Sequence, residues 1–371
     1  MAYDCYCAIC GVGFCGMHIE TPSQTSLERR RRWIEKRYRA MEASRNNCQV
    51  PHDPSEDHTD PVRSYDPRIV GWDNVSWLYQ AYCLGSNQQA SGKNKAFISG
   101  PGYYADIGEV AVKAESASNN TQKRSVFACY GSGTGDSPGP VIPFHWCCFE
   151  ILTRALTGST NPDHVDMEVL YAVMMDLCNM SGSALHLSYG DEVQESQGRY
   201  WECIPGAEYC ATHPTETPAL NDFIRNDVIM NKELRVPPAK LHLHGRQPAS
   251  PFGRLPLEMV YHICSFLPGE SLKALTQASL NVQIVTQHNY FWEKAVQWDM
   301  PWFWEFHALK SESPLPDDIN YKRLYLWLDK MTTPRYGMDD QALTGVANRR
   351  RIWGVCQQLA PRYFQGLKQQ K

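Results

Sequence analysis

The first twenty residues hold the densest set of metal-binding residue types in the chain. Cys7 and Cys10 are separated by two residues, the spacing with which two thiolates bind one zinc ion. Cys15 and His18 would complete a tetrahedral set, and more distant candidates for that role are Cys48, His52 and His58. A single Cys-x2-Cys pair is only half of a zinc site, and cysteines that pack as small apolar residues are the simpler interpretation. The sequence therefore assigns no metal ligand and predicts no cofactor.

Two histidine-containing segments also carry residue types that do chemistry. His145 precedes Trp146-Cys147-Cys148, where a Cys/His nucleophile would need the two side chains to face each other. Adjacent helical residues point about 100° apart, so this pair is expected to pack in a core rather than to react. Leu241-His-Leu-His-Gly245 alternates as a short extended segment does, and no cysteine stands near it.

The glycine-rich stretch Gly131–Gly135 resembles a phosphate-binding loop superficially. It lacks the Lys-Ser/Thr ending of such loops, and Pro138 and Pro140 follow where a helix should begin. We predict a flexible hairpin connection there, and no catalytic residue in the chain. The alternative is an enzyme whose site lies within residues 69–210, where Cys, His and Asp residues are frequent.

Residues 25–45 combine a run of arginines with helical periodicity. Thr25 and Glu28 fit a capping box, and one face is apolar, formed by Leu27, Ile34, Tyr38 and Met41. The other faces are basic, which suits an acidic partner, nucleic acid or an import signal. Because glutamates interleave with the arginines, a solvated surface is favoured, and nucleic acid is not the expected partner.

The composition is that of a folded protein. Aromatic residues make up 11% of the 371 residues and the net charge is only −4, so packed domains are expected and a general affinity for nucleic acid is not. No run approaches the roughly 18 apolar residues of a membrane helix, and the first residues lack the basic start of a secretory signal. The cysteines have apolar neighbours, which is typical of reduced thiols in the cytoplasm or nucleus.

Residues 69–210 alternate between short strand and helix patterns. Strands are predicted over Lys95–Ser99, Ile107–Val112, Arg124–Tyr130 and Leu185–Tyr189. Helices are predicted over Phe144–Leu156 and Asp166–Cys178. The predicted fold class is α+β, with a mixed N-terminal domain, a small all-helical unit and a helical C-terminal tail.

Residues 251–300 are predicted to form several short helices. Pro256 and Pro268 each follow a leucine and can open a helix, because proline in the first turn loses no hydrogen bond. The apolar residues after each proline recur at spacings of three and four, so they share one face. Isolated helices shorter than roughly 12–15 residues are marginal. Their apolar content exceeds what so small a core needs, and we expect a partner protein to cover part of it.

This segment resembles an F-box. The resemblance rests on Leu255-Pro256-Leu257-Glu258, Leu267-Pro268, and Phe291-Trp292-Glu293, with leucines at 272 and 275 between them. Ser271 stands where an acidic helix cap is common in the family, and Leu280 where a basic residue is frequent. The family's three-helix unit binds Skp1, and the resemblance implies that role for Leu255, Pro256, Leu257, Met259, Val260, Ile263, Phe266, Leu267, Pro268, Leu272, Leu275 and Trp292.

The chain is also similar to fungal F-box proteins with a long N-terminal region. The predicted segments are a Cys-rich, basic N-terminus with a linker (1–68), an α+β domain (69–210), a Pro-rich linker (211–250), the F-box (251–300) and a helical extension (301–371). The implied function is that of the substrate-receptor subunit of a Skp1–cullin–F-box ubiquitin ligase, non-catalytic itself. Its partners would be a Skp1-like protein, through it a cullin, and an unknown protein client. The alternative is a zinc- or nucleic-acid-binding regulatory protein that uses the Cys- and Arg-rich N-terminus.

Overall fold

The computed structural model describes residues 5–14, 24–45, 65–87, 91, 95–106, 108–113, 124–131, 140–178, 183–202, 204–236, 251–312, 316 and 318–370. The strands are β1 (Tyr82–Ser86), β2 (Ala96–Ile98), β3 (Gly102–Asp106), β4 (Glu109–Lys113), β5 (Arg124–Ala128) and β6 (Ile142–Phe144). The helices are α1 (Gln24–Arg45), α2 (Trp146–Thr157), α3 (Met167–Asp176), α4 (Asp191–Gln197), α5 (Leu220–Phe223), α6 (Leu257–Ser265), α7 (Gly269–Ala278), α8 (Leu280–Val285), α9 (Asn289–Asp299), α10 (Trp304–Glu312), α11 (Tyr321–Thr332) and α12 (Gln341–Gln369). The α+β class predicted from the sequence is confirmed.

The chain folds into two units whose boundaries differ from the predicted segments. Unit 1 comprises Met1–Thr217 with Pro334–Lys371, and unit 2 comprises Pro218–Thr333. The N-terminal segment and α12 therefore belong to the α+β unit. The physical reason for the placement of α12 is its long row of buried side chains, which packs against α2 and α3. No helix in the described part of the chain combines the length and the hydropathy needed to cross a membrane.

Unit 1 contains two antiparallel three-stranded sheets. The strand orders are β2-β1-β6 and β3-β4-β5. In the first sheet Leu84 lies opposite Ile98 on one side and Ile142 on the other, which places apolar side chains of three strands together. Pro143 cannot donate a ladder hydrogen bond, and it lies accordingly on the edge strand β6. The N-terminal segment covers part of that edge, where Ala8 N donates to Pro143 O at 2.9 Å.

The strand predicted over Leu185–Tyr189 is not formed. Leu185 makes an isolated bridge to Cys178, and the rest of the segment is irregular. The Tyr189 hydroxyl donates to Ala8 O at 3.0 Å and accepts from Leu185 N at 3.3 Å. Side-chain hydrogen bonds thus take the place of a strand ladder. The apolar pattern reflects the burial of Leu185 and Tyr189 in the core of unit 1.

Helix α1 is more than a solvated basic helix. Arg30 is buried, with Nη1 3.3 Å from Asp66 Oδ2 and 3.6 Å from Glu208 Oε1. Arg37 pairs with Glu195 at 2.5 Å and lies over the Tyr336 ring at 4.5 Å from its centroid. These two arginines hold α1 against the rest of unit 1, whereas Arg29, Arg31 and Arg32 are exposed as predicted. Of the predicted apolar face of α1, the side chains of Leu27, Tyr38 and Met41 lie outside the described part of the structure.

Unit 2 contains helices joined by turns, and no strand among its described residues. Helices α6 and α7 begin directly after Pro256 and Pro268, as the sequence predicts. Ser271, which stands at the position where the resemblance places a helix cap, lies instead inside the first turn of α7, because the helix already begins at Gly269. The unit has its own core around Trp292, whose Nε1 donates to Thr286 O at 2.5 Å and whose ring lies 5.1 Å from that of Tyr325.

Candidate functional site

Four potential metal ligands from two distant segments converge in unit 1. Cys7, Cys10, His145 and Cys148 each offer one ligand atom, and these atoms lie within 4.8 Å of one another. All four side chains are buried. Cys10 Sγ is 3.4 Å from His145 Nδ1. We call these residues the Cys/His cluster. Three thiols and an imidazole are one of the common donor sets of zinc sites.

A tight hairpin brings Cys7 and Cys10 to the same point. Gly11 N donates to Cys7 O at 2.8 Å, and Cys7 N donates to Val12 O at 2.9 Å. Gly11 has a φ of +75°, and a Cβ there would lie 2.6 Å from the Tyr189 ring. The turn therefore requires glycine for both its conformation and its close packing.

The junction between β6 and α2 places the other two ligands. His145 stands between the strand and the helix, and Cys148 is in the first turn of α2, three residues further on. The amide N–H groups of Cys10 and His145 donate to Cys7 Sγ, with N···S distances of 3.5 and 3.4 Å. Two N–H groups directed at one sulfur stabilise negative charge on it.

The orientation of the His145 ring is set by the backbone. Nε2 lies 3.2 Å from Leu78 O, and a carbonyl oxygen can only accept, so Nε2 carries a proton. In the neutral ring Nδ1 then presents its lone pair toward Cys10 Sγ. Metal-binding histidines typically make such a hydrogen bond through the nitrogen that does not touch the metal. The rings of Phe14 and Trp77 pack on the imidazole with centroids 4.5 and 4.8 Å away.

The environment distinguishes the three thiols. Burial raises the pKa of Cys7, but hydrogen bonds from Cys10 and Cys148 and the interaction with His145 outweigh it and bring that pKa well below its ordinary value. Burial raises the pKa values of Cys10 and Cys148 well above the ordinary value. Cys7 is thus the thiol that loses its proton most readily, and a thiolate is the form that binds metal.

Side chains from several other segments hold the backbone of the hairpin. The carbonyl oxygens of Tyr6, Ala8, Cys10 and Gly11 accept hydrogen bonds from Tyr130 Oη (2.6 Å), Tyr189 Oη (3.0 Å), Arg351 Nη1 (2.7 Å) and Gln197 Nε2 (2.7 Å). A buried carbonyl without a donor would cost roughly 1–3 kcal/mol. These bonds let an irregular segment lie inside the unit and fix the positions of Cys7 and Cys10.

The sequence names two of the four cluster residues as candidates without assigning them a metal. It identifies Cys7 and Cys10, but the completing ligands it considers, Cys15, His18, Cys48, His52 and His58, lie outside the described residues. It expects His145 and Cys148 to be core residues and assigns no metal ligand, whereas the structure adds both to the two cysteines. The signal that sequence reasoning missed is the spacing His145-x2-Cys148, which repeats that of Cys7-x2-Cys10.

Unit 2 carries a second candidate site, made of apolar side chains on and before α6. Leu255, Leu257, Met259 and Phe266 are 38%, 40%, 48% and 73% exposed. Met259 and Ile263 are four residues apart and share one side of α6, and Phe266 follows directly after the helix, while Val260 and Cys264 are buried. We call the following residues the apolar face: Leu255, Pro256, Leu257, Met259, Ile263, Phe266, Leu267 and Pro268.

The structure divides the residues to which the resemblance gives a Skp1-binding role. Most of them belong to the apolar face, where they are exposed or half-buried, and Leu275 is also half-buried. Val260, Leu272 and Trp292 are buried within unit 2 and offer no surface to a partner. Their place in the core suggests a positioning role, in which they hold the helices that carry the apolar face.

The remaining sequence candidates fall largely outside the described residues. This applies to residues 132–135 of the glycine-rich stretch and to the histidines of residues 241–245. Comparison with protein-family models, with curated proteins and with solved structures found no match for this chain. Fold and sites together define an α+β protein that combines a buried Cys/His cluster with an all-helical unit bearing an exposed apolar face.

Proposed function

We propose that residues 251–300 form an F-box that binds a Skp1-like protein, and that the chain is the substrate-receptor subunit of a Skp1–cullin–F-box ubiquitin ligase. The supporting observation is the apolar face, with Met259 on α6 48% exposed and Phe266, directly after α6, 73% exposed. In this role the chain supplies binding surfaces and no catalytic residue. It would act in the cytoplasm, the nucleus or both.

A cluster of exposed apolar side chains favours a protein partner. Single exposed apolar residues are ordinary, but several of them on and next to one short helix favour an interaction surface. Full burial of a leucine or methionine side chain contributes about 1.5–3 kcal/mol. Covering Leu257, Met259 and Phe266 would therefore provide the buried anchors that dominate most interfaces.

The apolar face is presented by a unit that is already packed. Leu272, Val282 and Trp292 are fully buried beneath the helices, so these helices do not need the partner to form their core. A rigid surface loses little conformational entropy on binding, which raises the affinity obtained from a given area.

The proposed mechanism is proximity. The F-box would dock on the ligase through the Skp1-like protein, while another part of the chain holds a protein client. Two binding events on one molecule raise the effective concentration of the client near the ubiquitin-transferring subunit. The described α+β unit, which the F-box pattern does not cover, is the candidate client-binding part.

The test is binding of the full-length chain to purified Skp1 by calorimetry. The double variant Leu257→Asp with Met259→Asp should weaken binding at least about 100-fold, or roughly 2.7 kcal/mol, because it buries two charges in the interface. The matched control is Leu326→Asp on α11, since Leu326 and Leu257 are both 40% exposed. The control should bind as the wild-type chain does.

Two results would count against the proposal: a wild-type chain that does not bind Skp1, or a double variant that binds as tightly as Leu326→Asp. Circular dichroism of both variants shows whether unit 2 is still folded.

The second candidate function, nucleic-acid binding by α1, is supported by the exposed Arg29, Arg31 and Arg32. It predicts an affinity for nucleic acid that falls steeply with salt concentration.

A further inference from the structure

We infer that unit 1 binds one zinc ion through the Sγ atoms of Cys7, Cys10 and Cys148 and the Nδ1 atom of His145. The inference goes beyond the proposed function, because it concerns the other unit and requires neither Skp1 nor a client. It rests on the geometry of the Cys/His cluster, on the bonds that orient its members and on the charges around it.

The ligand atoms have nearly the separations of a tetrahedral zinc site. With Zn–S bonds of about 2.3 Å and Zn–N bonds of about 2.0–2.1 Å, ligand atoms of a tetrahedron are roughly 3.6–3.8 Å apart. The ligand atoms here lie within 4.8 Å of one another, and Cys10 Sγ is 3.4 Å from His145 Nδ1. Closing the longest separation requires a movement of only about 1 Å.

Simple packing does not account for the arrangement. A neutral thiol is only a weak acceptor, so two backbone N–H groups directed at Cys7 Sγ favour negative charge on that sulfur, and His145 turns a ring nitrogen to a second thiol. A disulfide does not account for it either, because three thiols cannot all pair with one another. One zinc ion uses all three sulfurs and the imidazole, and each thiol releases its proton as it binds.

The surroundings suit the net charge of such a site. Zinc with three thiolates carries one negative charge, and Cys148 lies in the first turn of α2, at the positive end of the helix dipole. Arg351 adds a cation beside the hairpin, where its Nη1 donates to Cys10 O at 2.7 Å and to Tyr189 O at 3.0 Å. Asn348 Oδ1 accepts from Arg351 Nη2 at 2.8 Å and so orients the guanidinium.

The role of this zinc ion is structural. Four buried protein ligands leave no open coordination position for a substrate or water. The ion would join Cys10 to His145, which are 135 residues apart in the sequence, and would hold the hairpin on the edge of β6. A cross-link over so long a stretch removes much conformational freedom from the unfolded chain.

The experiment measures metal content in the full-length chain, purified without a metal-affinity tag and dialysed against a weak chelator. Inductively coupled plasma mass spectrometry should find one zinc ion per wild-type chain. Cys10→Ser and Cys148→Ser should lower the zinc content at least tenfold. The matched control is Cys147→Ser, because Cys147 is buried next to Cys148 but is not in the cluster. This control should keep its zinc.

A second measurement on the wild-type chain covers the case in which the serine variants fail to fold. Cobalt exchanged into the site should give the absorption bands of a tetrahedral ion with thiolate ligands, and Cys147→Ser should give the same spectrum. The inference is overturned by a wild-type chain without stoichiometric zinc, by an octahedral cobalt spectrum, or by Cys10→Ser keeping as much zinc as Cys147→Ser. Iron at one equivalent in place of zinc would also overturn it.

Discussion

The two units depart from the usual distribution of polar and apolar residues in opposite ways. Unit 1 buries charged and polar side chains, among them Arg30, Glu208, His145, Asn348 and Arg349. Unit 2 exposes large apolar ones, among them Phe266 and Met259. Both are unusual, since most buried residues are apolar and large apolar patches on monomeric proteins are rare.

The two units differ in which groups contact these unusual side chains. In unit 1 the same chain provides them: Arg30 lies beside Asp66 and Glu208, and Asn348 Nδ2 donates to Cys210 O at 3.2 Å and to Thr212 O at 2.8 Å. The apolar face of unit 2 remains exposed to solvent in this chain. The buried polar groups of unit 1 are therefore satisfied within the chain, whereas the apolar face would be covered only by the protein partner of the proposed function.

Metal removal is expected to have the largest effect and to separate the two units. Structural zinc contributes roughly 10–16 kcal/mol of apparent binding energy in small zinc-finger peptides, so its loss should strongly destabilise unit 1. After treatment with a strong chelator, amide hydrogen exchange should accelerate in residues 5–14 and 146–157 and stay unchanged in residues 257–299. Equal acceleration in both ranges, or none in either, would contradict the assignment of the metal to unit 1.

The next largest effect tests the core of unit 2 against its surface. Trp292→Ala should cost about 3–5 kcal/mol, because it opens a cavity and removes the donor to Thr286 O. Phe266→Ala should change stability by no more than about 0.5 kcal/mol, because Phe266 is 73% exposed. Denaturant titration of both variants gives the free energies of unfolding.

Binding to Skp1 should show whether Phe266→Ala affects the interface without affecting the fold of unit 2. Phe266→Ala should keep unit 2 folded and still weaken binding, since it removes an apolar anchor. If Phe266→Ala destabilised the unit as much as Trp292→Ala does, the apolar face would belong to the internal core and the comparison between the units would fail.

A smaller effect tests the buried polar groups of unit 1 on α12. Asn348→Leu should cost about 2 kcal/mol, because it leaves the buried carbonyls of Cys210 and Thr212 without their amide donor. The matched control on the same helix is Gln358→Leu, whose amide exchanges hydrogen bonds with the backbone of Ser188 at 2.9 Å in a solvent-exposed setting. Water replaces those bonds, so the control should cost well under 1 kcal/mol. Equal free energies of unfolding for the two variants would show that burial of the Asn348 amide does not increase the stability its hydrogen bonds provide.

The sequence predicts unit 2 better than it predicts the Cys/His cluster, because the two depend on contacts of different range. Proline at the start of a helix and apolar spacing within it are local features, and α6 and α7 begin where they indicate. Cys7 and Cys10 are also neighbours in sequence, so their pairing can be recognised. His145 and Cys148 join them only through the edge contact between the N-terminal segment and β6, which no local pattern describes.

The arginines of α1 also show that contacts with distant segments cannot be predicted from a local sequence pattern. Their interleaving with glutamates indicates a solvated helix, and this holds for Arg29, Arg31 and Arg32. Arg30 differs because Asp66 and Glu208 come to it from distant parts of the chain. A charge pattern within one helix contains no information about those acids.

The smallest expected effect is a pH dependence of unit 2 that arises from His307. Burial lowers the pKa of His307 and nearby Lys310 lowers it further, although the hydrogen bond with Met300 O opposes them. A lowered pKa means that the folded state favours the neutral ring. The stabilisation is therefore complete above the unfolded pKa of about 6.5 and is lost as the pH falls through the folded value.

The measurement is the free energy of unfolding of unit 2 between pH 7.5 and pH 5 for the wild-type chain and for His307→Gln. Glutamine keeps a donor for Met300 O but does not titrate, so the variant should lose less stability on acidification than the wild-type chain. Phe266→Ala serves as a control that adds no titratable group and leaves His307 in place, so its stability should show the wild-type pH dependence. If the free energy of unfolding changed with pH equally in the wild-type chain and in His307→Gln, burial of this imidazole would not contribute to the pH dependence of stability. In that case buried polar side chains would contribute to stability in unit 1 but not, at this position, in unit 2.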